Sequence, residues 1–392
     1  MPIGARSAAV LDSSAPLILH VTEAMGGGLE NAIYDFVRSA PQYRHALLFA
    51  RRGAFETAET RPDNLIEVVD AGRGFRALNE VYGTVVDRLE PDVIHLHSAW
   101  AGLIGRVRGS GPRRAAIVYS PHSYYFERRD LALPIRALAW LLEWALSART
   151  GLTAAVSPAE AGIARRLGSS AAYIPNVVRL PGDLSWTGAG TTAAEVVMIG
   201  RVTAQKDPKF FLQVMKHAAS LAPDVRWTWI GSGDTRMEQR LRAAGVDVTG
   251  WMTRSDCLAR MRRAGVYLHT AAWEGSPITL LEAAEIGVPI VARSIPALDS
   301  LGFDPTLRSP RAVAEALIGV LAGARMPIAP PATAPTAQML AIGQAYAAVL
   351  PVSSRSRALR PLTLDSTHSR FEERTGGQVR AAITAAALER PS

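Results

Sequence analysis

Two glutamates with seven residues between them stand in the stretch Trp273-Glu274-Gly275-Ser276-Pro277-Ile278-Thr279-Leu280-Leu281-Glu282-Ala283. An apolar run at 266–270 precedes them, so the stretch reads as the loop and helix that follow a buried strand. Ser276 suits an N-cap and Pro277 the first helical position, which predicts a helix from there to Gly287, just before Pro289. The free N–H groups and dipole at such a helix start favour a phosphate. Glu274, in the loop, can then meet a group beyond the phosphates. Glu282, in the second turn, can chelate a vicinal diol such as a ribose. A solvent-facing Glu282 is the plain alternative, since charged side chains are mostly exposed; the loop-then-helix setting favours the site.

Other segments suit the same ligand. Gly200-Arg201, with Lys206 shortly after, follows an apolar run at 196–199. An arginine fork and a lysine point charge in one strand-to-helix loop suit a diphosphate, although a solvated basic loop would look the same. Gly231-Ser232-Gly233-Asp234 follows another apolar run, where glycine lets backbone approach a ligand. Near the start, Gly26-Gly27-Gly28 resembles a dinucleotide fingerprint, but Asn31 replaces its third glycine and no acid ends the next strand. Nicotinamide binding is disfavoured, and a loop touching phosphate or acceptor is the other use. His122 lies just past a strand and so at a cleft edge. His95 and His97 share a strand face, with no carboxylate or third histidine nearby in sequence to complete a metal site, and read as structural.

The elements that must carry these residues are legible as two rounds of strand–helix alternation. Apolar strands are expected at 17–21, 45–50, 93–97, 116–120 and 152–156, with helices at 29–38, 78–88 and 134–147. A Gly/Thr/Pro-rich linker is expected at 179–194. The alternation restarts with strands at 196–199, 226–230, 246–248, 266–270 and 290–292. This is α/β architecture, two tandem doubly wound Rossmann-like domains, 1–178 and 195–335, facing a cleft. A helix at 338–350 follows, expected within a crossover segment 336–350. The tail 351–392 lacks pattern apart from a weak helix at 377–388 and reads as poorly ordered.

At 392 residues with 20% charged side chains, the chain is ordinary globular material. The single cysteine, Cys257, excludes a disulfide framework and a multi-cysteine metal site. No secretory leader or membrane-spanning run is expected, which suggests a cytoplasmic location. The net charge of +8 is uneven: residues 101–180 hold 11 Lys/Arg against 4 Asp/Glu, and residues 1–100 hold 9 against 13. A local surplus suggests an anionic partner or the inner membrane face. Arg128, Arg129, Arg136, Trp140 and Trp144 make one basic, aromatic stretch, read here as an ordinary packed helix with solvated arginines, or else a helix lying on anionic lipid.

Over about residues 17–350 the chain resembles the GT-B-fold retaining glycosyltransferases of family four. The glutamate pair within Glu274-Gly275-Ser276-Pro277 and Leu280-Leu281-Glu282-Ala283 carries the likeness. Ile199-Gly200-Arg201 with Gln205-Lys206-Asp207, Gly231-Ser232-Gly233, and Gly250-Trp251 accompany it in order. The resemblance implies that Arg201 and Lys206 hold the diphosphate and stabilise it as leaving group, and that Glu282 binds the ribose. It implies that Glu274 meets the transferred sugar or the charge at its anomeric carbon, and that His122 lies near sugar and acceptor. Gly27, Gly28, Gly200, Gly231, Gly233, Gly275, Ser276, Pro277 and Ile278 complete the donor site it implies. Transfer from a nucleoside-diphosphate sugar to a saccharide or lipid-linked acceptor, with retention and no metal or other cofactor, is the implied reaction, in polysaccharide or glycolipid synthesis. A catalytically silent subunit or a nucleotide-sugar epimerase of the same fold is the alternative. The chain departs from the family at Pro175-Asn176-Val177-Val178, where Pro-Asn-Gly-Val is usual, and in the loop 275–279.

Overall fold

The computed structural model describes residues 14–51, 61–182, 184–188, 195–219, 222–324 and 334–351. The expectations for 352–392, including the weak helix, lie outside the described residues.

Apolar strands and amphipathic helices alternate through the first half. They are β1 (Leu17–Met25), α1 (Gly28–Ser39), β2 (Arg44–Arg51), β3 (Leu65–Arg73), α2 (Gly74–Leu89), β4 (Val93–His97), α3 (Ala99–Arg108), β5 (Ala116–Ser120), α4 (Leu133–Ser147), β6 (Leu152–Ala155), α5 (Pro158–Arg166) and β7 (Ala171–Tyr173). The strands form one parallel sheet in the order β3-β2-β1-β4-β5-β6-β7. Buried on both faces, its central strands read as apolar runs interrupted by His20, His45, His95 and His97. Edge strands β3 and β7 went unforeseen, being half-buried or exposed along their length.

The second half runs β8 (Glu195–Ile199), α6 (Pro208–Ala218), β9 (Arg226–Ile230), α7 (Thr235–Ala243), β10 (Asp247–Gly250), α8 (Arg254–Met261), β11 (Val266–His269), α9 (Ile278–Ile286), β12 (Ile290–Ala292), α10 (Pro296–Ser300) and α11 (Pro310–Leu321). Its parallel sheet has the order β10-β9-β8-β11-β12. Both sheets therefore reverse strand order once, between β1 and β4 and between β8 and β11. In such sheets the crevice outside the carboxyl ends at the reversal takes the ligand.

Two connections are tighter than the sequence suggests. Within the expected linker, Trp186 donates from its backbone to the Ile286 carbonyl (2.8 Å) and from its indole to the Ala264 carbonyl (2.9 Å), which pins the chain to the second half. The last described helix, α12 (Pro335–Val349), packs into the first half. Ile342, Ala345 and Tyr346 are buried among Ile18, Phe36 and Val118, and Gln338 bridges the Ser39 hydroxyl and the Pro175 carbonyl.

Helix α4 corrects the expectation of an ordinary packed helix. Only Glu143 and Leu146 are buried on it. Glu143 pairs with buried Arg106 at 2.9 Å and accepts from the Tyr119 hydroxyl at 3.2 Å. The inward attachment is thus one ion pair and one leucine, and Leu133, Ile135, Leu138, Trp140, Leu141, Leu142 and Trp144 are exposed, Leu133 at 73% and Trp144 at 56%. Monomeric surfaces rarely leave so long an apolar stripe uncovered.

Candidate active site

At the reversal of the second sheet, the loops leaving β8 and β11 are laced together. Ala272 donates to the Gln205 carbonyl (2.8 Å), and the Thr270 hydroxyl donates to the Lys206 carbonyl (2.7 Å). Gly200, at φ 150°, lets the Lys206 chain lie across its backbone; a Cβ there would sit 2.8 Å from Lys206 Cε. Asp207 (φ 49°) caps α6 by accepting from Phe210 N, and is itself held by Arg293 at 2.7 Å. Lys206 Nζ thereby meets Glu274 Oε1 at 2.5 Å, and Gln205 donates to Glu274 Oε2 at 3.2 Å. Both charged side chains are largely buried. Removing either partner of such a pair leaves an uncompensated charge that costs several kcal/mol, about 3–5.

His269 is a neighbour that the sequence reading missed. Its Nε2 lies 3.9 Å from Glu274 Oε1 and has no hydrogen-bond partner among the described residues. Burial first, and then the Lys206 charge, hold the ring's pKa well below its usual value, so it is neutral. Its position as the last residue of β11 was the available signal. Glu282 is buried, and its Oε1 accepts from Arg254 Nε at 2.8 Å, another partner the sequence did not announce. Arg201 is half-buried beside the Lys206 loop.

Gly231 and Gly233 have a structural use ahead of any ligand. A Cβ on Gly231 would stand 2.2 Å from the Gly200 carbonyl oxygen, and one on Gly233 would stand 2.3 Å from that of Val202. Their missing side chains let the loops after β8 and β9 touch. The Gly233 N–H is already donated to Glu238.

The first half faces this loop directly. Gly27 (φ 60°) precedes α1, and Gly28 lies against Ile278, whose Cδ1 would be 3.8 Å from a Cβ at 28. His122 and Ser123 both have positive φ (52° and 86°), a conformation that costs energy in non-glycine residues. Two carboxylates the sequence reading missed hold it: Glu160 accepts from Ser123 N and Val156 N, each at 2.7 Å, and Glu127 accepts from Tyr124 N at 2.8 Å. Burial raises the Glu160 pKa to about 7, against the lowering from those two bonds. Gly275 abuts this strained loop, and a Cβ there would lie 2.9 Å from the His122 carbonyl carbon. Exposed Phe75 and Trp100 pack edge to face (5.1 Å), and Trp100 meets Tyr125 (6.0 Å), at the same strand ends.

The structure thus gathers Gly28, His122, Gly275, Ser276 and Ile278 at one junction, with Lys206 and Glu274 in the adjoining loop. It also makes two corrections. The helix after Glu274 starts later than expected: Pro277, not Ser276, is the N-cap of α9, and no side chain caps it. The Ser276 carbonyl accepts from Asn176 Nδ2 (3.0 Å) and so is withdrawn from the first helical turn. And His95 and His97 do gain a third histidine: the ring nitrogens of His20, on adjacent β1, come within 4.8 Å of theirs. Parallel pairing sets His20 opposite His95, which is a long-range fact.

Sequence comparison matches residues 193–323 to the family model "Glycosyl transferases group 1" and residues 26–180 to "Glycosyltransferase Family 4". The UDP-Gal:alpha-D-GlcNAc-diphosphoundecaprenol alpha-1,3-galactosyltransferase of Escherichia coli is 25% identical over 231 residues, 52% of this chain and 58% of that protein. The match therefore spans little more than half the relative's length. Among solved structures, sucrose-phosphate synthase from Thermosynechococcus elongatus superposes with a TM-score of 0.62 at 15% identity, covering 95% of this chain and 100% of that one. Anabaena HepE, solved with UDP and glucose, superposes with a TM-score of 0.61 at 16% identity, covering 94% and 100%. These likenesses establish the two-domain GT-B fold.

Proposed function

The chain belongs to the group 1, family 4 glycosyltransferases, and on that premise we propose that it moves a sugar from a nucleoside-diphosphate donor to a saccharide or lipid-linked saccharide with retention of configuration. The buried Lys206–Glu274 pair at the strand-order reversal carries this reading. Here a cation and a carboxylate are held side by side in a partly dry site, where each interacts more strongly than in water. Lys206 and Arg201 take the diphosphate, with the first-turn amides of α9 beside them. Glu274 takes sugar hydroxyls and faces the positive charge that develops at the anomeric carbon. Glu282, exchanging or sharing Arg254, takes the ribose diol. The bond from the anomeric carbon to the phosphate oxygen breaks, the bond to the acceptor oxygen forms on the same face, and the departing phosphate oxygen accepts the acceptor's proton. No divalent cation is needed, because the two basic side chains and the helix start supply the positive charge.

Thermal shifts with UDP, GDP, ADP and TDP, each with and without EDTA, test the donor site. A nucleotide at a hundredfold excess over its dissociation constant stabilises the fold by about 2.7 kcal/mol. One stabilising nucleotide, indifferent to EDTA, supports the reading, and no stabilisation by any of them sinks it. Retention is checked by the anomeric configuration of the product in NMR.

Of the two acceptors we further propose the lipid-linked one, with α4 lying on the membrane. In support, the apolar face of α4 is exposed, and Arg136 Nε on it donates to the Phe126 carbonyl (2.8 Å), next to Tyr125 of the aromatic trio. An apolar helix in a region with a basic surplus suits an anionic surface. Among the described residues no helix is long and apolar enough to cross a membrane; the attachment proposed is peripheral. Co-flotation with phosphatidylglycerol vesicles, lost in Leu138→Ser/Trp144→Ser, is the expected result; equal flotation of both proteins would contradict it.

A further inference from the structure

Behind His122, four imidazoles make an unbroken line of hydrogen bonds. His122 Nε2 is 3.1 Å from His97 Nδ1, His97 Nε2 is 3.0 Å from His20 Nδ1, and His20 Nε2 is 3.0 Å from His45 Nδ1. The line ends where His45 Nε2 meets the Ala40 carbonyl oxygen at 2.9 Å. It runs sideways through the sheet, from the loop after β5 through β4 and β1 to β2, in the spatial order of the strands. His20, His45 and His97 are fully buried, and Phe36 stacks on His97 (5.8 Å).

The last link sets the direction of all the others. A carbonyl only accepts, so His45 Nε2 must carry a hydrogen. Burial holds every ring in the line neutral near pH 7, with pKa values of about 4 for His45 and His122 and well below normal for His20 and His97. A neutral ring has one N–H, so His45 Nδ1 is a lone pair and His20 Nε2 must be its donor. The same step repeats through His97 to His122. His122 then carries its hydrogen on Nε2, and Nδ1 is its lone pair. Among the described residues, no hydrogen bond reaches His122 Nδ1.

His95 stands beside the line and is occupied elsewhere. Ser120 Oγ donates to the Ala154 carbonyl (2.7 Å) and so accepts from His95 Nε2 (2.9 Å), which leaves His95 Nδ1 to accept from the Tyr346 hydroxyl (2.8 Å). Every ring nitrogen of His20, His95 and His97 thus has a hydrogen-bond partner, and these bonds account for the cluster without a metal ion.

We propose that this line is a tautomer relay: His97, His20 and His45 are positioning residues that carry the direction set by the Ala40 carbonyl to His122, holding it as the Nε2–H form, so that its ring accepts a hydrogen bond from a substrate hydroxyl and cannot donate one. The tautomer follows from the hydrogen bonds together with the neutral state that burial imposes; only the word substrate rests on the glycosyl-transfer reading above.

Long-range ¹H–¹⁵N correlation on the full chain, labelled at histidine, reports which nitrogen of each ring carries hydrogen. At pH 7 all four rings are expected as Nε2–H. In His45→Phe the anchor is gone, and His122 becomes a mixture of tautomers. In His45→Gln the amide nitrogen donates to Ala40 and the amide oxygen accepts from His20, so His122 stays Nε2–H. Turnover falls by about tenfold in His45→Phe, a scale known for outer positioning partners, with donor KM little changed, and recovers in His45→Gln. A purely structural His45 would lower stability and leave the His122 tautomer untouched, which overturns the relay. If His45→Phe does not fold, the native spectrum decides, because an Nδ1–H form of His122 or His97 breaks the line of donors. If the tautomers behave as stated and no sugar is transferred, the relay stands and the glycosyltransferase reading falls.

Discussion

The carboxyl edges of the two sheets share a strand order and differ in how they handle polarity. Around β8 and β11 the charged groups are matched in pairs, Lys206 with Glu274 and Arg254 with Glu282, beside the neutral ring of His269. Around β1, β4 and β5 they are imidazoles that burial keeps uncharged, joined ring to ring and to a backbone carbonyl. Paired charges can be re-partnered by an anion such as a diphosphate. A neutral, directional line suits hydroxyl groups, whose recognition depends on who donates. One topology thus serves two kinds of ligand by a choice of side chain at equivalent strand ends.

Acid should separate the two edges most. His45 titrates at about 4 when folded against about 6.5 unfolded, so between those values the unfolded chain binds more protons. Its contribution, about 3 kcal/mol at full extent, is present above pH 6.5 and lost as pH falls towards 4. Glu160 has the opposite sign: its folded pKa of about 7 lies above the unfolded value, so its contribution is present below pH 4.5 and lost as pH rises through 7. Burial raises Glu127 in the same direction as Glu160, but five lowered rings, His20, His45, His95, His97 and His122, oppose these two carboxyls, and the acid loss wins. Hydrogen exchange at pH 5 against pH 7 should show protection falling further in β1, β2 and β4 than in β8 and β9; an equal fall would erase the contrast.

Next in size are the paired charges. Lys206→Ala should lower kcat/KM by about 10²–10³-fold, the cost of losing one well-placed electrostatic partner. Glu274→Gln should lower kcat yet leave nucleoside-diphosphate affinity unchanged or tighter, since Lys206 is then freed for phosphate. Calorimetry of the two variants tests the division of roles, and a parallel loss of affinity would refute it. Smallest is Glu282→Ala, expected to weaken nucleotide binding by about tenfold, or ~1.4 kcal/mol. Its effect on melting should be slight, because Arg254 is one-third exposed and water can solvate it. A variant that unfolds would place Glu282 in the core's service instead.

Much of this was legible before any coordinates. Buried parallel strands announce themselves as apolar runs, and the loops after them carried Lys206, Glu274 and His122 as expected from spacing. What escaped depended on contacts between distant parts of the chain. The Ser276 side chain looked like a cap, but its carbonyl is bonded to Asn176, a hundred residues earlier. His20 is 75 residues from His95 and beside it only because β1 pairs with β4. Glu160 stands in the first turn of α5, and nothing local told that its oxygens would hold the turn at Ser123. Strand β3 mixes Glu67 and Asp70 with its apolar residues because it forms an edge, and the pattern that marks central strands fades there.

The return of α12 to the first half has a consequence in time. Tyr346, the hydroxyl that satisfies His95, leaves the ribosome about 250 residues after the strand it completes. Until then the pocket for Ile342, Ala345 and Tyr346 among Ile18, Phe36 and Val118 stays open, so the first half cannot finish its core while the second is being made. Synthesis order thus makes the amino-terminal half the last to close, and a chaperone that shields apolar grooves would find its client there.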